Sequence, residues 1–373
     1  MRNTVTIFYI FIAILGFGLL STCRKDTIPL AEETFRFSRG LYLLNEGNMS
    51  MNKASLDFYD FTTGTYERNV YQRANPSVVL GLGDVGNDIQ LYGGKLYIAV
   101  NASNKIEVLD AFTAKRIKSI DLINCRYITA AQGKVYVSSY NASISLGPNS
   151  PNGTVVEIDT MSLNILREVS VGRQPEGLAV SNNKLYVANS GGYNPNTYER
   201  TLSVIDLPTF KELKRIDVAI NLQQVKVDQH GKIYVTSRGD YKGKHSNLFF
   251  IDPYTDRIIE QLDKPVSNFW IDDEKIYTYA TEWDSDAQKN TILFNSFLIN
   301  DLNNGFPYID TDIAGRITIP YGIAVDANTK NVYLTDAKNY VSPGTLYEFN
   351  ATGRLLRSFE TGDIPAHMAF LGN

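Results

Sequence analysis

The sequence predicts an all-β chain folded as a seven-bladed β-propeller, closed by a C-terminal strand that completes the first blade. Three observations predict this fold: a strand motif centred on tyrosine occurs seven times, a second strand ending on Asp or Asn follows each copy, and a short apolar strand precedes all copies but the first. Repeats of about 40 to 50 residues built from several short strands are typical of propellers.

The tyrosine motif is the most regular part of the repeat. Its tyrosine recurs at intervals of 39 to 56 residues, and most copies directly follow a turn signal such as Gly93-Gly94, which favours a tight hairpin from the preceding strand. The seven motif tyrosines are Tyr42, Tyr97, Tyr136, Tyr186, Tyr234, Tyr277 and Tyr333.

The strand that follows each tyrosine motif, the third strand of the blade, ends on a short polar residue. Asp and Asn at such positions cap the following turn with their own side chains, so we expect turn-forming roles for them instead of catalysis. These residues are Asp60, Asp110, Asp159, Asp206, Asp252, Asn300 and Asn350.

The apolar strand that should precede the first tyrosine motif is found at the other end of the chain. The segment from His367 to Phe370 has the pattern of this strand, but no tyrosine motif follows it. We therefore expect it to pair with the strand around Tyr42, which closes the ring and removes the exposed sheet edges. This predicts one propeller domain over residues 35–373, with a C-terminal tail that stability requires.

The N-terminus predicts export. Arg2 precedes an apolar run from Val5 to Leu20, which is too short for a membrane-spanning helix and leads to small residues before Cys23. This order resembles a bacterial lipoprotein signal, with a signal peptide over 1–22, lipidation of Cys23 and a tether over 23–34. An uncleaved anchor or a signal peptide cut elsewhere are the alternatives.

Composition argues against a disulfide-stabilised fold and against nucleic-acid binding. Cys125 is the one other cysteine, so a lipidated Cys23 leaves no intramolecular disulfide and the core must hold the fold. Removing Arg2 with the signal leaves 35 basic against 40 acidic residues, a net charge of −5. An acidic chain of this kind argues against nucleic acid as a partner.

The variable loops are where function is expected. In a propeller, the loops between second and third strands share one face with the connections between blades, here called the loop-rich rim. These loops are rich in Asn and aromatic residues, which grip a ligand at low entropic cost, although each could instead merely cover a loop end. The predicted ligand-binding residues are Asn48, Asn101, Tyr140, Tyr193, Tyr198, Arg238, Tyr241, Trp283 and Tyr340.

Catalytic patterns are weak by comparison. The three histidines, His230, His245 and His367, fall in separate parts of the repeat, and no nucleophile, CxxC or phosphate-binding motif occurs. We therefore predict no enzyme activity, catalytic residue, metal or cofactor. Six acidic residues near the inner or upper loops could in principle bind Ca²⁺ or act as acid and base, although turn roles are favoured: Asp84, Asp88, Glu176, Asp240, Glu282 and Asp336.

Several segments carry a resemblance to a known family. The run from Leu44 to Asn48, the segments at Ala54–Asp60, Leu82–Val85 and Ala99–Ile106, and the junction Val171–Val180 resemble the YncE-like propeller lipoproteins of Bacteroidetes, which include the BtuG cobalamin-binding surface proteins. The sharpest motifs lie in the first quarter of the chain. No cobalamin-contacting residue is matched individually.

The resemblance implies an outer-membrane lipoprotein, exposed on the cell surface, that binds cobalamin or another corrinoid and delivers it to a TonB-dependent transporter. Only Asp26 is acidic directly after Cys23, which leaves a periplasm-facing placement open. A scaffold that recognises glycan or protein is one alternative. A lyase or lactonase is another, and would require two or more of Asp84, Asp88, Glu176 and His367 to converge in a channel whose strands read as mostly apolar.

Overall fold

The computed structural model describes residues 38–144, 150–284 and 288–372. Within them, twenty-eight strands form seven four-stranded antiparallel sheets, which confirms the seven-bladed β-propeller. The predicted signal peptide, the tether and Cys23 lie outside these residues. No helix in the described part of the chain has the length and apolar character needed to cross a membrane.

Blades two to seven each use four consecutive strands, ordered from the channel outwards. Blade two contains β4 (Gly86–Tyr92), β5 (Lys95–Val100), β6 (Lys105–Asp110) and β7 (Arg116–Asp121), and blade three contains β8 (Cys125–Ala131), β9 (Lys134–Ser139), β10 (Asn152–Asp159) and β11 (Ile165–Arg173). Blade four contains β12 (Pro175–Ser181), β13 (Lys184–Asn189), β14 (Thr201–Asp206) and β15 (Lys211–Asp217), and blade five contains β16 (Leu222–Val227), β17 (Ile233–Ser237), β18 (Asn247–Asp252) and β19 (Arg257–Leu262). Blade six contains β20 (Asn268–Asp272), β21 (Lys275–Asp284), β22 (Lys289–Leu298) and β23 (Asp301–Pro307), and blade seven contains β24 (Pro320–Val325), β25 (Val332–Asp336), β26 (Pro343–Phe349) and β27 (Leu355–Asp363).

Blade one joins the two ends of the described chain. It contains β1 (Ser38–Asn45), β2 (Ser55–Asp60), β3 (Thr65–Glu67) and the innermost strand β28 (Pro365–Gly372). Strand β28 pairs antiparallel with β1, and Met368 lies opposite Leu43. The predicted closure is therefore confirmed: β28 covers the edge of β1 that would otherwise be open and takes the innermost position of blade one.

The repeated residues build blades. The seven motif tyrosines are all buried in the second strands, and their rings pack between neighbouring sheets. The hydroxyl of Tyr42 donates to the carbonyl oxygen of Ala111, and that of Tyr186 donates to Asp256. The carboxylate of Asp110 accepts backbone N–H groups of Phe112 and Thr113, as predicted for a turn-forming residue. The same capping occurs at Asp60, Asp159, Asp206, Asp252 and Asn350.

Two short helices lie in the connections that lead into blades two and seven. Helix α1 (Val70–Ala74) buries Tyr71 against the core between blades one and two. Helix α2 (Thr311–Ala314) is capped by Asp310, whose side chain accepts the N–H of Asp312. Both therefore act as packed spacers along the loop-rich rim.

The innermost strands line the channel and begin at the loop-rich rim. Six of the seven have an irregular register in their first residues, as where Cys125 and Ile128 pair with Ser139 and Val137. Irregularities of this kind release residues from the ladder and re-aim their side chains. The residues just before β4 and β28, Val85 and Ile364, have φ of 58° and 56°, a strained conformation for β-branched side chains.

Candidate functional site

Charged and aromatic side chains gather where the innermost strands begin, at the end of the channel that opens on the loop-rich rim. This region is called the channel mouth. All seven blades contribute to it; blade six does so with Tyr279 of its second strand, and each other blade supplies at least one residue from its innermost strand. The residues that define it are Glu46, Asp88, Arg126, Tyr127, Tyr140, Glu176, Lys226, Arg238, Tyr279, Tyr321 and His367.

One wall of the mouth is built around Glu176. Its carboxylate Oε2 accepts from Arg126 Nη2 at 3.1 Å, and Oε1 accepts from Arg238 Nη1 at 3.2 Å and from the Tyr140 hydroxyl at 2.6 Å. Because these three partners lie on blades three and five, Glu176 of blade four connects three neighbouring blades. Arg126, Tyr140, Glu176 and Arg238 are called the arginine cluster.

The arginine cluster keeps its carboxylate ionised. Burial by itself would raise the pKa of Glu176, but the guanidinium groups of Arg126 and Arg238 lower it below the ordinary value. Burial and the neighbouring Glu176 together leave the pKa of Tyr140 well above its ordinary value. With two guanidinium groups and one carboxylate, the cluster has a surplus of one positive charge.

The opposite wall is built around His367. Its Nδ1 lies 3.4 Å from Asp88 Oδ1 and its Nε2 lies 3.5 Å from Glu46 Oε1. The hydroxyl of Tyr321 donates to Glu46 Oε2 at 3.0 Å, which fixes that carboxylate against the imidazole. Glu46, Asp88, Tyr321 and His367 are called the histidine cluster.

Burial shifts the pKa of two groups here: Asp88 of the histidine cluster and Lys226 beside it. Burial raises the pKa of Asp88, although His367 and the N–H of Ile128, which donates to Asp88 at 2.8 Å, oppose the shift. Burial lowers the pKa of Lys226 to about 8. The ammonium group of Lys226 donates to the carbonyl of Phe269 at 2.7 Å and lies 4.6 Å above the ring of Trp270.

Tyrosines connect the two clusters. The ring of Tyr127 contacts His367 edge-on at 6.1 Å and lies 5.9 Å below the Arg126 guanidinium. Tyr279 donates to the backbone oxygen of Tyr321, whose ring contacts Tyr340 edge-on at 5.9 Å. The mouth is thus a polar recess with aromatic sides.

Four of the predicted ligand-binding residues lie at or beside the arginine cluster. Tyr140 and Arg238 belong to it, and the ring of Tyr193 contacts Tyr140 edge-on at 5.1 Å. Tyr198 lies near Arg238 and Tyr241, and burial raises the pKa of its hydroxyl. Because Tyr140 is only 4% exposed, its ring can support the cluster more readily than it can cover a ligand.

Three predicted residues present aromatic faces to solvent on the loop-rich rim. The exposed fraction is 73% for Tyr241, 65% for Trp283 and 43% for Tyr340. Trp283 lies on β21 instead of in the expected loop, because β21 and β22 continue as a projecting hairpin in which Trp283 pairs with Asn290.

The two predicted asparagines hold loops. Asn48 is half-buried and donates to the backbone oxygen of Tyr340, so it joins the rim loops of blades one and seven. Asn101 is buried, and its amide donates to Asn124 at 2.6 Å and to the carbonyl of Cys125 at 3.0 Å. Neither amide nitrogen points freely into the recess.

The expectation that the channel strands are mostly apolar is wrong at the mouth. Of the six acidic candidates, Asp88 and Glu176 lie there, whereas Asp240 and Asp336 accept backbone N–H groups of their own loops. Arg126, Tyr127, Lys226 and Tyr321 were missed, because no sequence motif links these scattered residues. For Arg126, Tyr127 and Tyr321 the available signal was their position in the first residues of an innermost strand, as in Pro175-Glu176 and Pro320-Tyr321, whereas Lys226 lies near the end of β16.

The sequence of this chain matches a family model, described as a domain of unknown function (DUF5074), over residues 39–367. The chain belongs to the DUF5074 family. No protein of curated function matches the sequence significantly.

Solved structures resemble this DUF5074 propeller in fold. One is a quinonprotein alcohol dehydrogenase-like protein from Bacteroides thetaiotaomicron, 16% identical, with a TM-score of 0.62 over 89% of this chain and 78% of that chain. Another is hydrazine synthase from Kuenenia stuttgartiensis, 15% identical, with a TM-score of 0.58 over 76% of this chain and 88% of that chain. At these identities the likeness concerns the fold alone.

The mouth does not have the ligand set of a metal centre in the described residues. In residues 38–144, 150–284 and 288–372, no group of three or more His, Cys, Asp and Glu side chains could hold a metal ion. The histidine cluster can accept and donate protons, and the arginine cluster can bind negative charge.

Proposed function

We propose that this DUF5074 propeller is a non-enzymatic cell-envelope lipoprotein that binds a ligand at the channel mouth and along the loop-rich rim. The observation that carries the proposal is the combination of fixed charged groups in the recess with exposed aromatic faces around it. Tyr241, Trp283 and Tyr340 supply contact area at low entropic cost, and the arginine cluster supplies oriented donors.

The favoured cargo is cobalamin or another corrinoid. Two features support it: the resemblance of the first quarter of the chain to the BtuG branch of YncE-like lipoproteins, and the exposed aromatic faces of Tyr241, Trp283 and Tyr340, which suit a large macrocycle with amide side chains. A TonB-dependent transporter is the proposed recipient. Binding to such a transporter would use the rim outside the recess.

The position where the propeller begins, at Ser38, is compatible with lipid anchoring at Cys23. Strand β1 runs from Ser38, on the face opposite the loop-rich rim, to Asn45 at the rim. Ser38 follows Cys23 by fifteen positions, a separation that can span at most about 50 Å. A lipid on Cys23 would therefore hold the propeller within about that distance of the membrane surface.

Calorimetry with cyanocobalamin tests the corrinoid proposal. We expect saturable heat with one site per chain at micromolar protein, and no chemical change in the recovered ligand. Absence of heat at that concentration would eliminate the corrinoid. A pull-down from membranes that yields a transporter, when no small ligand binds, would favour a scaffold that recognises protein or glycan.

The histidine cluster favours a second candidate, an enzyme of the lyase or lactonase type. His367 lies beside both Asp88 and Glu46, so it could act as a general base oriented by a carboxylate. The test is hydrolysis of a sugar δ-lactone by the wild type and by His367→Gln. Turnover that is lost in the variant would establish the enzyme, and equal background rates would exclude this role.

A further inference from the structure

We infer that the channel mouth recognises its ligand through an oxyanion, a carboxylate or a phosphate group, which binds between the guanidinium groups of Arg126 and Arg238. The inference rests on the proposed ligand-binding function and deepens it, because it names the chemistry that the site selects.

The two guanidinium groups are held in place before any ligand arrives. Glu176 is 1% exposed, and both of its oxygens are already used by Arg126, Arg238 and Tyr140. Arg126 uses Nε and Nη2 for this contact and Arg238 uses Nη1. Within the described residues, the remaining side-chain N–H groups of both arginines have no hydrogen-bond partner.

Both arginine side chains are partly exposed, whereas their carboxylate partner is not. The exposed fraction is 17% for the side chain of Arg126 and 25% for that of Arg238, whereas Glu176 is enclosed. A fixed guanidinium group with free N–H donors matches the planar geometry of a carboxylate or phosphate, and binding costs little further side-chain ordering.

The neighbouring acidic groups on the same rim are engaged elsewhere. Glu199 pairs with Arg173 at 3.1 Å, and Asp240 accepts three backbone N–H groups of its own loop. The arginine cluster therefore keeps its surplus positive charge, and a ligand oxyanion can balance it. The buried rings of Tyr127 and Tyr140 exclude water beside it, which strengthens the attraction.

The opposite wall gives the ligand a direction. Glu46 and Asp88 stand on either side of His367, so the histidine cluster presents carboxyl acceptors to a ligand, whereas Arg126 and Arg238 present N–H donors. Uncharged donor groups of the same ligand can face the carboxylates. The recess thus discriminates between the two ends of a ligand that carries an oxyanion at one end.

Calorimetric titration of the full-length chain with inorganic phosphate and, separately, with succinate tests the inference. We expect saturable binding of at least one probe and an affinity about tenfold lower in Arg238→Gln, which removes one charged donor but leaves Glu176 with Arg126 and Tyr140. The matched control is Arg200→Gln, because Arg200 lies at the same rim but pairs with the exposed Asp217. Arg238→Lys keeps the charge and loses the fork, so it should bind more weakly than wild type even where Arg238→Gln folds poorly.

Each outcome decides a separate point. Binding of phosphate alone or of succinate alone identifies the source of the oxyanion, and binding of both assigns a general oxyanion site. Saturable binding of neither probe, or equal binding by Arg238→Gln and Arg200→Gln, overturns the inference. A parallel titration with cyanocobalamin separates the two proposals: corrinoid binding without oxyanion binding rejects the oxyanion site alone, and the reverse result rejects the corrinoid alone.

Discussion

Asp88 and His367, near opposite ends of the described chain, approach within 3.4 Å at the channel mouth. Asp88 lies on the innermost strand of blade two, and His367 lies on the strand that closes blade one. Their contact therefore exists only in a closed ring. The site and the closure of the fold depend on the same strand.

Disrupting the closure should unfold the propeller. Met368 is 9% exposed in β28, so Met368→Asp would bury an unpaired carboxylate and lower the free energy of unfolding by at least about 3 kcal/mol. Deletion from Ile364 onwards should abolish the cooperative melt. The control is Leu356→Asp, at a 47% exposed position of β27, which should change the melting temperature little. A tail deletion that melts like wild type would contradict the closure.

Removing the carboxylate of the arginine cluster should be costly. Glu176→Ala leaves two arginines without their buried partner, so we expect a loss of about 3–5 kcal/mol in the free energy of unfolding, measured by urea denaturation. Asp217→Ala removes an acid that is 69% exposed and pairs with Arg200, and should cost less than about 1 kcal/mol. Similar losses for the two variants would show that Glu176 does not hold the blades together.

Stability should depend on pH through Lys226. Its folded pKa of about 8 lies below the ordinary 10.5, so between these values the unfolded chain holds more protons than the folded one. Burial of the charged Lys226 therefore lowers the free energy of unfolding by its full amount below pH 8, and this effect disappears as the pH rises towards 10.5. Lys226→Met, which retains the neighbours Asp88 and His367, should therefore be more stable than wild type at pH 7, and this difference should shrink as the pH rises to 10.5. Parallel stability curves from pH 7 to 10.5 would refute the shift.

The exposed aromatic residues of the loop-rich rim should contribute to ligand binding. Trp283→Ala and Tyr241→Ala should each weaken cyanocobalamin binding about five- to thirtyfold in calorimetry, because each removes a large aromatic face. Tyr254→Ala is the matched control, since Tyr254 is 76% exposed in a hairpin on the opposite face. If all three variants bind alike, the ligand does not contact the rim.

The repeat predicted the architecture closely, since burial of Tyr97 or Tyr234 follows from a local strand pattern that recurs in every blade. The charged site was less visible, because Arg126, Glu176 and Arg238 are separate residues that only the ring brings together. Their spacing contains no motif. Trp283 illustrates a third case, where strand pairing continued beyond the repeat and turned an expected loop into a projecting hairpin.

The closing strand also sets when the site comes into existence. Among the strands of the propeller, β1 is made first and β28 last, so the partner of Leu43 and the imidazole beside Asp88 arrive only after the other six blades. Pairings this distant along a chain form slowly, because the intervening loop must first be closed. A nascent chain in which β28 has not yet been made thus lacks a complete mouth, and competence to hold cargo marks a molecule whose propeller is closed.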